Sequence, residues 1–172
     1  MREKEAEAFL SEEKGVLTVQ DALQGAMDII AEEISDDADY RTYIRDITVK
    51  QGNLVSEAKD DKAESVYENY YHCSEPVAKM AGHRVLAVNR GEAEKILTVT
   101  IEAPVEQIIR YLEKQIIVND NQYTKPVLEE TIKDSYDRLI APSIDREVRN
   151  MLTEKAEDGA INVFGKNLRQ LL

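Results

Sequence analysis

Across 172 residues the sequence has one cysteine, no tryptophan, two phenylalanines, seven glycines and four prolines. A single cysteine excludes an internal disulfide and suits a reducing compartment. With only 6% aromatic residues and so few Gly and Pro to make turns, helices are favoured over a β-sandwich. No run of 18 apolar residues exists, and the start, MREKEAEAF, is charged where an export signal is apolar. The expectation is a cytoplasmic chain that neither spans a membrane nor is secreted.

Motifs of common chemistry are missing too. There is no GxGxxG, GxxxxGK or GxSxG, so no phosphate cradle or nucleophile elbow is marked. Without CxxC or HExxH, a zinc site built from His72, Cys73 and His83 would need carboxylates to complete it, and no metal or cofactor is expected. His72 and Cys73 are adjacent, and neighbours on a helix diverge by about 100°, which argues against a nucleophile and base pair.

What the chain has is charge: 33% of residues, with 34 acidic against 22 basic for a net −12. Its length fits one domain or two small ones, enough to bury about two-thirds of the unfolded surface. Residues 1–68 carry 18 of the acids and 8 of the bases, so the acidity belongs to the first part of the chain. Acidic surfaces repel phosphate backbones, because non-specific nucleic-acid affinity comes from Lys and Arg displacing counterions. The near-neutral remainder escapes that argument.

Ala22, Leu23, Ala26, Met27, Ile30 and Ile34 recur at three and four residues behind a Thr18/Asp21 capping box, which predicts a helix. Ser35, before Asp36, Asp37 and Asp39, reads as a second N-cap. Tyr40, Tyr43, Ile44 and Ile47 continue the apolar face to a stop at Gly52. Tyr67 and Tyr71, four apart, suggest one helix face, with Pro76 as its break or as the start of the next helix. HRVLAVNRGE reads as a short helix ending near Gly91, with a strand as the alternative.

The clearest strand is Ile96 to Glu102, where Leu97, Val99 and Ile101 alternate with threonines. Its edges need a partner, from 53–58, another molecule or covering helices. Pro104 starts a helix with the stripe Val105, Ile108, Ile109, Leu112 and Ile116, and Asn119 to Asn121 form a loop. Pro126 opens a helix bearing Leu128, Ile132, Tyr136 and Leu139, which Pro142 interrupts or kinks. Ile144, Val148, Met151 and Leu152 resume the pattern. Gly159 and Gly165 punctuate a last segment whose Ile161, Val163, Phe164, Leu168, Leu171 and Leu172 leave an apolar stripe unfinished. An unfinished stripe suggests a piece of a longer polypeptide, the alternative being a terminal helix that docks its own leucines.

The fold expectation is mainly α: a multi-helical scaffold with one small β element near 96–102. The most unusual segment is Gly82 to Glu94. Its two arginines could clamp a phosphate or carboxylate, or could instead pair with Glu75, Glu92 or Glu94 and fix the turn into the strand. The acids at Asp36, Asp37 and Asp39 could in principle gather a divalent metal for phosphodiester cleavage, but they serve equally as the start of a helix.

Three segments in order, GVLTVQDALQGAMDIIAEEISDDADYR, YENYYHCSEPVAKMAGHRVLAVNRGEAEKILTVTIE and APSIDREVRNMLTEKAEDGAINVFGKNLRQLL, resemble the N-terminal helical region of the Tex family of bacterial transcription accessory proteins. The most specific part, HRVLAVNRGE, is similar to the family's His-Arg-x-Leu-Ala-x-x-Arg-Gly-Glu motif. His83, Arg84, Arg90, Gly91 and Glu92 match it, and the family gives none of them a catalytic role.

The resemblance implies a helical region preceding an RNase H-like YqgF domain, helix-hairpin-helix elements and a C-terminal OB-fold RNA-binding module, in a family similar to a eukaryotic transcription elongation factor. Residues 1–172 would then be a non-enzymatic scaffold within a factor that binds RNA or DNA and associates with the transcription machinery, without a membrane role. The alternatives are direct nucleic-acid contact through Lys79, Arg84, Arg90 and Lys95, or a protein–protein interaction module. An exposed apolar C-terminal face could make the isolated chain dimerise.

Overall fold

A computed structural model describes residues 18–119 and 121–172; the MREKEAEAF start and Asp120 lie outside the described residues. The fold is mainly α with a small three-stranded antiparallel sheet, as the sequence predicts. The chain divides into two compact units, Met1–Arg41 with Gln107–Ala141 and Thr42–Glu106 with Pro142–Leu172.

In the first unit, helix α1 (Val19–Asp36) begins at the predicted capping box: Thr18 accepts from the Asp21 amide, and Asp21 accepts from the Thr18 amide. The second cap falls two residues later than Ser35. Ser35 is still helical and donates its hydroxyl to Glu32 O, whereas Asp37 Oδ1 accepts from the Tyr40 amide at the start of α2 (Ala38–Gln51). Helices α4 (Val105–Ile116) and α5 (Lys125–Asp134) complete the unit with a π turn, Ser135–Ile140. Ala31, Ile34, Ile108, Leu112, Ile132, Tyr136 and Ile140 are buried.

Ser135, fully buried, donates to Ala31 O at 2.6 Å, tying the π turn to α1. The wide turn ends at Ile140, two residues before Pro142, which has no N–H and whose ring conflicts with the carbonyl four residues back. The helix is therefore not interrupted: α6 (Ala141–Leu171) follows directly.

In the second unit the strands run β2–β1–β3, with β1 (Asn53–Ala58) central, β2 (His72–Pro76) on one side and β3 (Leu97–Glu102) on the other. The partner sought for the 96–102 strand is thus 53–58. The expected helix over Tyr67 and Tyr71 is absent: a short 3₁₀ turn, Glu68–Tyr70, leads into β2, and both tyrosines are buried beside the sheet. Tyr71 donates its hydroxyl to Ala63 O at 2.6 Å, so the pair packs through tertiary contacts rather than along a helix.

Register places Leu54, Ser56, Ala58, Cys73, Glu75, Leu97, Val99 and Ile101 on one sheet face and Val55, Glu57, His72, Ser74, Thr98 and Thr100 on the other. Helix α3 (Gly82–Ala93) packs against β3 and buries Val85 and Val88. Gly52 ends α2 as predicted, because a Cβ there would collide with Thr48 O. Gly159 and Gly165 do not break α6, which runs through both.

Candidate functional site

HRVLAVNRGE forms most of α3, and the structure shows what its polar residues touch. Helical spacing puts Asn89 and Glu92 on the face toward α6. There Arg149 spans Glu92 with both terminal nitrogens, Nη2 to Oε1 at 2.7 Å and Nη1 to Oε2 at 3.0 Å. The same guanidinium donates to Asn89 Oδ1 at 3.1 Å and to Val99 O at 3.3 Å on β3. Asn89 in turn donates to Thr153 Oγ1 at 2.8 Å, and Thr153 donates back to Arg149 O. One arginine thereby joins α3, β3 and α6. Its hydrogen bond holds the Glu92 carboxyl below the usual carboxylate range, against burial, which pushes it up.

The glycines of this segment serve close approach. A Cβ at Gly91 would run into Leu97 and press on Tyr67. At Gly82 it would meet Ala156 Cα at 3.2 Å, where the first turn of α3 lies against α6.

Arg84 lies against β2: it forms an ion pair with Glu75, approaches Cys73 Sγ at 3.5 Å and stacks over the Tyr70 ring 5.1 Å from its centroid. Glu75 is one of the partners the sequence offered it; Glu92 goes instead to Arg149. His72 and Cys73 alternate on β2, so they point to opposite sheet faces. His72 Nδ1 sits 2.8 Å from Glu57, and Cys73 lies near Arg84 and Glu75.

The other three basic candidates are exposed: Lys79 before α3, Arg90 on it and Lys95 after it. Lys79 and Lys95 flank opposite ends of a helix roughly 18 Å long. Lys95 has φ 62°, the left-handed position that closes α3. The Ile96 amide donates to Gly91 O and the Lys95 amide to Glu92 O, a Schellman ending that usually carries glycine. Among the described residues, no three His, Cys, Asp or Glu side chains converge as a metal set, Asp36, Asp37 and Asp39 included. No helix of the described residues is long and apolar enough to cross a membrane.

A groove of about 620 Å³ runs between the start of α3 and the second half of α6. Met80, His83 and Leu86 form one wall; Leu152, Ala156, Ala160 and Val163 continue the core stripe of α6 along the other. Phe164 closes that wall and is itself exposed, and past it Ile161, Leu168 and Leu171 are exposed as well. Sequence reasoning singled out the stripe but missed Arg149, Asn89 and Lys155, because a hydropathy period carries no signal for a polar side chain that crosses between elements.

The Tex central region-like family model matches residues 2–164. The Bacillus subtilis protein YdcI is 51% identical over 170 residues, covering 97% of this chain and 24% of that protein. Human S1 RNA-binding domain-containing protein 1 is 32% identical over 174 residues, 92% of this chain and 17% of the relative. The transcriptional accessory protein Tex of Neisseria gonorrhoeae is 30% identical over 181 residues, 99% of this chain and 23% of the relative. The chain spans about a quarter or less of the length of these relatives.

Proposed function

The chain belongs to the Tex family, and from that membership we propose that it is the helical scaffold of a cytoplasmic, transcription-related nucleic-acid-binding factor. It holds the RNA- or DNA-binding parts of a longer polypeptide in place and catalyses nothing itself. One observation carries this reading. Arg84, Asn89 and Glu92 of HRVLAVNRGE are spent on internal joints, Arg149 with Glu92 and Asn89, and Arg84 with Glu75, while among the described residues the second half of α6 leaves a run of apolar side chains exposed. A segment built this way fixes geometry rather than grips phosphate. The relatives' names, a transcriptional accessory protein and an S1 RNA-binding domain protein, support placing it in nucleic-acid metabolism.

The test compares the 172-residue chain with the full-length polypeptide for binding of labelled single-stranded RNA and DNA at low salt. The full-length protein binds, with affinity falling as salt rises, and the 172 residues alone do not. Binding by the short chain as tight as that of the full protein would overturn the scaffold reading.

A second reading, direct contact through this chain, has one observation in its favour. Lys95 occupies a left-handed backbone position where glycine is the stabler residue, so a lysine there is kept at some cost. In that case Lys79→Ala, Arg90→Ala and Lys95→Gly each weaken nucleic-acid binding by the 172-residue chain and reduce its salt dependence.

A further inference from the structure

Between Ala160 and Leu171 the exposed apolar side chains Ile161, Val163, Phe164, Leu168 and Leu171 span, with Ala160, about 160° of the helix at 3.6 residues per turn, with Asn167 the polar side chain among them. A helix lying on a single neighbour needs a stripe of only about 100°. Part of this arc continues the buried row Ile144, Val148, Leu152 and Ala156. There the row leaves α3 behind and becomes the groove wall, where the small Gly159 and Ala160 keep the surface low enough for another backbone to approach.

One side of the groove is basic, along the flank of α6 that carries Lys155 and Lys166, while the exposed Glu157 stands on the opposite flank. Lys155 and Lys166 are exposed and make no ion pair among the described residues, and His83 stands across from Lys155 on α3. An occupant with carboxylates beside its apolar stripe would meet cations on that basic side, whereas a basic or uncharged one would leave them unmatched.

The polypeptides to which this chain is similar are several times its length. Resting on the scaffold reading, we infer that this groove seats an amphipathic, acidic-flanked helix from another part of the same polypeptide. The bulky apolar side chains of that helix lie over Gly159 and Ala160, and its carboxylates face Lys155 and Lys166. A helix tethered in the same chain needs little intrinsic affinity, since the tether supplies its effective concentration.

Cysteine accessibility tests this in the full-length polypeptide and in the 172-residue chain, both carrying Cys73→Ser. Ala160→Cys puts a thiol on the groove wall, and Asn162→Cys puts one on the polar side of the same helix. Maleimide labelling of Ala160→Cys is expected to slow at least about tenfold in the full-length protein relative to the short chain, while Asn162→Cys labels equally in both. Adding Lys155→Glu and Lys166→Glu restores fast labelling of Ala160→Cys in the full-length protein. Equal rates at residue 160 in both proteins overturn the proposal. So does a slowing in the short chain that grows with its concentration, which assigns the groove to a second copy, and so does a reading frame that ends at Leu172. Nucleic-acid binding of the full-length protein, measured alongside, separates failure of this docking from failure of the scaffold reading.

Discussion

Arg149 and Glu92, 57 positions apart, meet in a two-pronged ion pair at 2.7 and 3.0 Å, with Arg149 only 16% exposed. Removing the guanidinium strands the Glu92 carboxylate, Asn89 Oδ1 and Val99 O together. Arg149→Ala is therefore expected to destabilise the fold by about 1–3 kcal/mol in urea unfolding. Arg149→Lys recovers only part of this, because an ammonium cannot present the planar fork that reaches both carboxylate oxygens. Equal stability of the lysine variant and the wild type would show that charge alone suffices.

The same pair sets a pH dependence. Arg149 lowers the Glu92 pKa in the folded state, so folding favours the ionised carboxylate. The stabilisation is complete above the ordinary Glu value of about 4.3 and is lost as pH falls through the lower folded-state value. Glu92→Gln is expected to be less stable than wild type near neutrality, with the gap closing below pH 4. A gap of the same size at pH 3 and pH 7 contradicts this origin.

Glycines in the chain should respond oppositely to alanine. At Gly91 a methyl group has no room beside Leu97, and Gly91→Ala should cost about 1–3 kcal/mol through overpacking. At Gly25, inside α1, nothing lies within 4 Å of the new carbon. Gly25→Ala should gain up to about 1 kcal/mol from helix propensity. Thermal or urea unfolding of the two variants decides whether space or propensity governs each position.

Elements whose own apolar period matches their burial were legible in the sequence. The capping box at Thr18, the row Leu97, Val99 and Ile101, and the stripe from Ile144 through Leu152 all stand where the pattern puts them. Strand β2 was not legible. Its inward residues are Cys73 and Glu75, and Glu75 is tolerated there because Arg84 pairs with it, a tertiary contact that no alternation of hydropathy reveals. Tyr67 and Tyr71 then mimic a helix by their spacing alone. The site divides the same way: Arg84 and Glu92 stood out within HRVLAVNRGE, while Arg149, the anchor of Glu92, lies 57 residues beyond it with nothing local to mark it.

Lys95 gives a prediction that joins stability to function. Its left-handed φ of 62° costs a residue with a Cβ about 1–2 kcal/mol, part of which glycine returns as backbone entropy in the unfolded chain. Lys95→Gly should raise unfolding stability by about 0.5–1 kcal/mol. A stabler variant whose full-length form binds RNA or DNA as before removes Lys95 from the nucleic-acid surface; a stabler variant that binds less well places it there.

The outer edge of β3 is the last point at which sequence and fold can be tested together. An open strand edge offers unpaired amides and carbonyls to any other strand, and two side chains one turn apart on α6 block this one. Asp145 Oδ2 accepts from the Ile101 amide at 2.8 Å, and Arg149 donates to Val99 O at 3.3 Å. Asp145→Ala removes a charged hydrogen bond to a part-buried amide and should cost about 1.5–3 kcal/mol. It should also make the protein associate with rising concentration in size-exclusion chromatography, because the Ile101 amide becomes free to pair. Asp145→Asn, which keeps an acceptor, should lose some stability but remain monodisperse. If Asp145→Ala unfolds more easily without associating, Arg149 alone is enough to close the edge.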